Sequence, residues 1–227
     1  MRTKIIYEDA AIMVTHKPAG LATQTAKVGQ QDMVSELKNY LASGRRGKVP
    51  YLGVIHRLDQ PVEGLLVFAK EKSAAAALTK QLGQGTLHKQ YYAVICGKPC
   101  QDRGELVDYL YKDTAGKAQI VTGQQEKFPE AKKAVLQYRI IEEISSDKEL
   151  FLADIHIDTG RFHQIRAQMA HAGMPLLGDS KYGNETSLAL RQELGIRNVA
   201  LCAYCIELIH PVTKKKMKFT IPYSKIL

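Results

Sequence analysis

The chain has 227 residues, 45% of them hydrophobic and 24% charged, and a formal net charge of +9. These values suit a soluble globular protein with a substantial core, and the positive balance points to an anionic partner, nucleic acid first. No apolar run approaches the ~20 residues of a membrane-spanning helix, and no signal peptide is evident, so a cytoplasmic protein without membrane contact is expected.

Residues 4–16 read as two short strands around the acidic turn at Glu8 and Asp9. Lys17-Pro18-Ala19-Gly20 breaks the chain, and Leu21 to Thr25 resumes as an extended piece. Val34, Leu37, Tyr40 and Leu41 recur at helical spacing and predict a helix over 33–41. A basic, Gly-rich loop carrying Arg45, Arg46 and Lys48 follows, suited to phosphates if it borders a site.

Val54 and Ile55 deliver His56, Arg57, Leu58 and Asp59 to a turn punctuated by Gln60, Pro61 and Gly64. Gly64 to Ala69 reads as a buried strand. A carboxylate on such a turn is held by rigid scaffold yet reachable, as catalytic groups often are. Ser73 to Leu82 predicts an Ala-rich helix ended near Gly83 and Gly85. Strands are expected over 88–96, 104–111, 117–122, 133–144 and 150–157.

From Thr159-Gly160-Arg161 a helix is expected to run to about Ala172, stopped by Gly173 and Pro175, with Phe162, Ile165, Met169 and Ala172 on its apolar face. A short helix over 188–194 and closing strands over 199–209 and 216–221 complete the chain. Strands outnumber helices without regular alternation, so the class is α+β, and one domain over 1–227 is expected. Cys96, Cys100, Cys202 and Cys205 read as reduced thiols rather than a zinc site, because residues three apart on a strand face opposite ways.

Three stretches resemble the RluA-type RNA pseudouridine synthases. They are His56-Arg57-Leu58-Asp59 with Gly64-Leu65-Leu66, then Lys89 to Gly97, then Thr159-Gly160-Arg161-Phe162-His163-Gln164-Ile165-Arg166 continuing to Gly178-Asp179 and Tyr182-Gly183. Ile6 to Asp9, Lys17 to Gly20 and His210-Pro211 also match, so the resemblance spans nearly the whole chain in order. It implies a pseudouridine-synthase-like catalytic domain with a large, mainly antiparallel mixed sheet flanked by helices and loops. It implies isomerisation of uridine to pseudouridine in structured rRNA or tRNA, with no cofactor or metal; nothing in the sequence calls for more than a monomer. Asp59 is then the catalytic carboxylate, Tyr91 the active-site tyrosine and Arg166 the basic partner of Asp59.

Arg57 is expected to contact RNA, with Arg161, Lys89, Arg45, Arg46 and Lys48 as phosphate contacts on charge. His56 and His163 are expected to be hydrogen-bonded structural residues. Four positions depart from the family pattern: Val62-Glu63 replaces a usual Thr-Ser pair, Phe162 a common threonine, and Cys202 a frequent histidine. Glu63 is expected to point to solvent. The chain starts directly in the catalytic domain, so a separate N-terminal RNA-binding domain is not expected. A non-catalytic RNA-binding protein on the same fold is the alternative; a metal-dependent hydrolase using His56, Asp59, His163 and His171 lacks the motif spacing it needs.

Overall fold

The computed structural model describes residues 1–25, 29–43, 50–123 and 127–222. Its elements in chain order begin β1 (Lys4–Glu8), β2 (Ile12–Lys17), α1 (Met33–Ala42), β3 (Gly53–Val54), β4 (Glu63–Ala69), α2 (Lys72–Gly83) and β5 (His88–Cys96). They continue with β6 (Arg103–Lys112), β7 (Ala118–Val121), β8 (Lys132–Ser145), β9 (Leu150–Ile157), α3 (Gln164–His171), α4 (Glu185–Glu193), β10 (Leu201–Ile209) and β11 (Lys216–Thr220). Strands dominate without alternating with helices, so the α+β class expected from the sequence is observed. The chain divides into two compact units, Met1–Lys89 with Ala203–Pro222, and Gln90–Cys202.

In the first unit β2 pairs antiparallel with both β1 and β4, in a register that sets Ile12 opposite Ala69 and Lys17 opposite Gly64. β3 adds to β4, and β10 pairs with β11. Ile12, Val14, Leu65, Val67, Ile206 and Leu208 form the core with Ala74 and Leu78 of α2. Ala75 and Leu82 of α2 pack against the same cluster, and its small residues let the helix lie close to the strands. Asp32 caps α1, accepting from the Ser35 N–H at 2.7 Å and the Thr25 N–H at 2.8 Å.

His210 closes this unit. Its Nδ1 accepts from the N–H groups of Val212 and Thr213, so the proton stands on Nε2, which donates to Asp9 at 2.8 Å. Burial pushes the Asp9 carboxyl up. The N–H groups of Ile12 and Ala11, the Tyr7 hydroxyl and His210 outweigh it and bring the pKa down to about 2.

The second unit is an antiparallel sheet in the order β5-β9-β8-β6-β7. Tyr91 stands opposite Ile155 on β9, and both are buried. Gln168 ties α3 to the sheet: its amide donates to Asp108 at 2.7 Å and to the Leu106 carbonyl at 3.2 Å.

α3 is shorter than expected. It begins at Gln164 because His163, just before it, takes a left-handed conformation, φ 52°. Residues 164 to 169 are all buried, so the helix is embedded rather than one-sided. Phe162 leaves the expected apolar face altogether and is 39% exposed.

Gly64 marks the tightest approach in the first unit. Its φ is +136°, and a Cβ there would lie 2.5 Å from the backbone nitrogen and 2.6 Å from the carbonyl oxygen of Ala203. Both the backbone conformation and the space demand glycine. We expect Gly64→Ala to destabilise the protein by about 3 kcal/mol or more, read as a melting temperature lowered by roughly 6–12 °C in circular dichroism.

Candidate active site

In the first unit the segment between β3 and β4 carries Arg57, which is exposed, and Asp59, which is half-buried. The Asp59 carbonyl accepts from the Val62 N–H at 3.0 Å and closes the turn. The turn is stitched to residues 17–23 at several points. The Gln60 carbonyl accepts from the Gly20 N–H at 2.8 Å, and the Gln60 amide donates to the Gly20 carbonyl at 3.2 Å. The Thr23 hydroxyl donates to the Leu58 carbonyl at 3.0 Å and accepts from the Leu58 N–H at 3.3 Å.

Beneath these contacts sits Lys17, the last residue of β2 and fully buried. Its ammonium donates to three carbonyls: Leu21 at 2.6 Å, Gln60 at 3.0 Å and Pro18 at 3.2 Å. An ammonium has three donors, so one cation fastens the 18–21 loop to the Asp59 turn. Burial brings its pKa down to about 8, while the negative charges of Asp59 and Glu63 pull it back up. It is therefore a cation at neutral pH, set below the turn that presents Asp59. The sequence marks Lys17-Pro18-Ala19-Gly20 as a chain break and a motif match but gives Lys17 no role, because lysine is so rarely buried.

Two neighbours complete this side. Glu63 does not point freely into solvent, as expected, but bonds His16 Nε2 at 2.7 Å. His56 is buried and accepts from the Val67 N–H at 3.4 Å. Burial, with the Lys89 charge second, pushes His56 well below its ordinary pKa, so it is neutral and structural, as expected. Lys89, half-buried, is brought down to about 8 by burial.

In the second unit Arg166 is buried on α3. Its Nε and one terminal nitrogen donate to the two carboxylate oxygens of Asp179, each at 2.7 Å. The fork geometry locks the guanidinium plane. The N–H groups of Lys181 and Tyr182 also donate to Asp179, at 2.9 and 3.1 Å. Burial raises the Asp179 carboxyl, but the Arg166 bond and charge and these two N–H groups together hold it below the usual carboxylate range. Asp179 was part of a quoted motif without an assigned role; its partner lies thirteen positions back, beyond any local spacing rule.

The loop before α3 is held by Gln164, whose side-chain oxygen accepts from the Arg161 N–H at 2.9 Å and the Thr159 hydroxyl at 2.8 Å. Its amide donates to the Val135 carbonyl at 3.0 Å. Arg161 is exposed, and its Nε donates to the Lys133 carbonyl at 2.9 Å. His163 Nδ1 lies 2.8 Å from the Tyr182 hydroxyl, which makes it a positioning residue, as expected. The first unit thus carries Asp59, Arg57 and Lys89, and the second Tyr91, Arg161 and Arg166. Arg45, Arg46 and Lys48 lie outside the described residues.

A carboxylate on a pinned turn can attack or take a proton from a ligand that reaches it. A buried tyrosine offers a ring for stacking and a hydroxyl for proton transfer. A guanidinium locked in one plane is suited to holding an anion.

A family model described as RNA pseudouridylate synthase matches residues 11–171. Over 221 residues the chain is 32% identical to a Bacillus subtilis (strain 168) protein named uncharacterized RNA pseudouridine synthase YhcT, covering 96% of this chain and 68% of that protein. It is 30% identical to ribosomal large subunit pseudouridine synthase D of Zymomonas mobilis, covering 95% of this chain and 68% of that one. The solved structure of human RNA pseudouridylate synthase domain containing 4 is similar with a TM-score of 0.74 at 23% identity, over 96% of this chain and 88% of that one.

Lys17→Met keeps the stem and removes the donors. It removes the ammonium bond to the buried Leu21 carbonyl, at about 1–3 kcal/mol, and the shared bonds to the Gln60 and Pro18 carbonyls, partly offset by no longer burying a charge. The expected outcome is a melting temperature lowered by roughly 4–10 °C. The pH trend identifies the cause. The folded pKa of about 8 lies below the ordinary lysine value of 10.5, so the unfolded chain binds this proton more tightly between them and wild-type stability gains as pH rises through that window. The gap between wild type and Lys17→Met should widen between pH 8 and 10 in chemical denaturation.

Proposed function

The chain belongs to the RNA pseudouridylate synthase family, and we propose that it isomerises uridine to pseudouridine in ribosomal or transfer RNA with Asp59 as the acting carboxylate. The observation that carries this is the half-buried Asp59 on a turn whose flanking carbonyl is pinned by a buried ammonium. Relatives named for the ribosomal large subunit favour ribosomal RNA as the substrate class. The proposal takes the protein to act in the cytoplasm as a monomer, on RNA and without membrane contact; among the described residues, no helix is long and apolar enough to cross a membrane.

The chemistry must break the bond between uracil N1 and ribose C1′, turn the base, and join C5 to C1′. The C5 proton then leaves and N1 gains one. Asp59 would act at the ribose, either as nucleophile at C1′ or as base toward the C2′ proton, and either route needs it ionised. Arg166, held in one plane by Asp179, would be its basic partner and keep it charged. Tyr91 would stack on the base and take the C5 proton. These groups come from both units, so the proposal requires the two to work as one catalytic domain.

The target base must leave its stack, and exposed Arg57, two residues before Asp59, would contact the RNA where the base departs. Lys89 and Arg161 would contact phosphates, as would Arg45, Arg46 and Lys48.

The test is tritium release from RNA labelled at uridine C5. Wild type should release tritium, undiminished by a chelator, and Asp59→Asn should reduce release by about 10³-fold or more, the order seen when a nucleophile or base is removed, with RNA affinity kept. Equal release by both proteins would remove Asp59 from the chemistry. Tight RNA binding by both with no release from either would favour the binding-only alternative.

A further inference from the structure

Phe162 is an exposed aromatic residue on the loop that leads into the embedded helix α3, and the mechanism above makes no use of it. Its ring stacks on His163 with centroids 3.7 Å apart and planes 21° apart. That contact occupies one face of the ring. The ammonium of Lys112, on β6, stands 4.8 Å from the ring centroid and therefore lies toward the other face. Lys112 is itself exposed, on a four-carbon stem.

The ring's support is rigid. His163 is fixed by its left-handed backbone, φ 52°, by its 2.8 Å contact with the Tyr182 hydroxyl, and by edge-on packing against the Tyr182 ring. The same hydroxyl accepts from the Ala118 N–H at 2.7 Å, which ties the stack to β7.

The surroundings are cationic. Lys117 Nζ lies 5.3 Å from the Tyr182 ring centroid, and Arg166 lies 5.1 Å from it on the chain's own motif helix. Lys181 donates to the Gly116 carbonyl, and exposed Arg161 precedes Phe162 directly. The nearby carboxylate of Asp113 is already engaged, accepting from the Lys117 N–H at 2.8 Å and the Gln119 amide at 2.7 Å.

A preorganised aromatic face with flexible lysines beside it is the arrangement that holds unpaired nucleotides, bases on the ring and phosphates on the cations. We propose that Phe162, backed by His163, is a stacking platform for an unpaired base of the RNA substrate, with Lys112 giving up the ring face to the base and moving to a phosphate. This rests on the RNA-modifying function proposed above and adds a binding subsite to it. An unpaired nucleotide near the target uridine, rather than duplex, is then what this surface selects.

The probe is a single-stranded RNA dodecamer carrying one 2-aminopurine, whose fluorescence falls when the base stacks. Wild type should quench it. Phe162→Leu should weaken binding roughly 5- to 150-fold, the equivalent of about 1–3 kcal/mol, and abolish the quench at an unchanged melting temperature. Phe162→Tyr should restore both. Lys112→Ala should keep the quench and lower the slope of log affinity against log salt by about one.

Tritium release measured in parallel separates the two readings. If wild type releases tritium and Phe162→Leu, still folded, binds and quenches like wild type, the platform is wrong and the isomerase stands. If no protein releases tritium but quenching depends on Phe162, the platform stands and the isomerase reading falls.

Discussion

A single buried ammonium organises the Asp59 turn of the first unit. Lys17 ends a strand whose other residues are almost all buried, and it spends its three donors on carbonyls of the 18–21 loop and of Gln60. Burying a cation is costly unless its donors are met and a negative charge stands near. Here both conditions hold, since Asp59 and Glu63 offset the burial that depresses its pKa. The consequence is a turn with little freedom, and the residue it presents is Asp59. Hydrogen bonds between Thr23 and Leu58 and between Gly20 and Gln60 repeat the constraint on either side.

The second unit uses the same device with the signs exchanged. Asp179 is a fully buried carboxylate that takes two N–H groups from its own turn and a two-point grip from Arg166. Neither member could be removed without stranding the other charge. The pair fixes the guanidinium plane, and Gln164 and Gln168 fix the helix that carries it against β6 and β8. Both units place charge inside the protein to hold one side chain still, which is what a reaction demanding sub-ångström placement asks of its scaffold.

Much of this was legible in the sequence and some was not. Strand and helix positions followed from periodicity: β4, α2, β5 and β9 stand within a residue or two of where apolar spacing put them. Ordered motifs singled out Asp59, Tyr91 and Arg166, and their roles stay proposals that rest on those motifs. Lys17 was illegible because nothing local marks a lysine as buried; the three carbonyls that receive it come from residues 18, 21 and 60. Asp179 needed a partner thirteen residues away. Phe162 was misplaced because its spacing from Ile165 and Met169 fits a helix, and only the left-handed backbone at His163 takes it off that helix and turns it outward. Glu63 was expected in solvent because its partner His16 is close only through β2–β4 register.

The most direct measurement of the account is a position-resolved map of pseudouridine in ribosomal and transfer RNA. The RNA would come from cells lacking this protein and from the same cells resupplied with wild type or Asp59→Asn. Wild type should return pseudouridine at one or a few discrete uridines, and Asp59→Asn should return none. Restoration by both proteins, or an identical map in all three RNA pools, would contradict the claim that this chain isomerises uridine through Asp59.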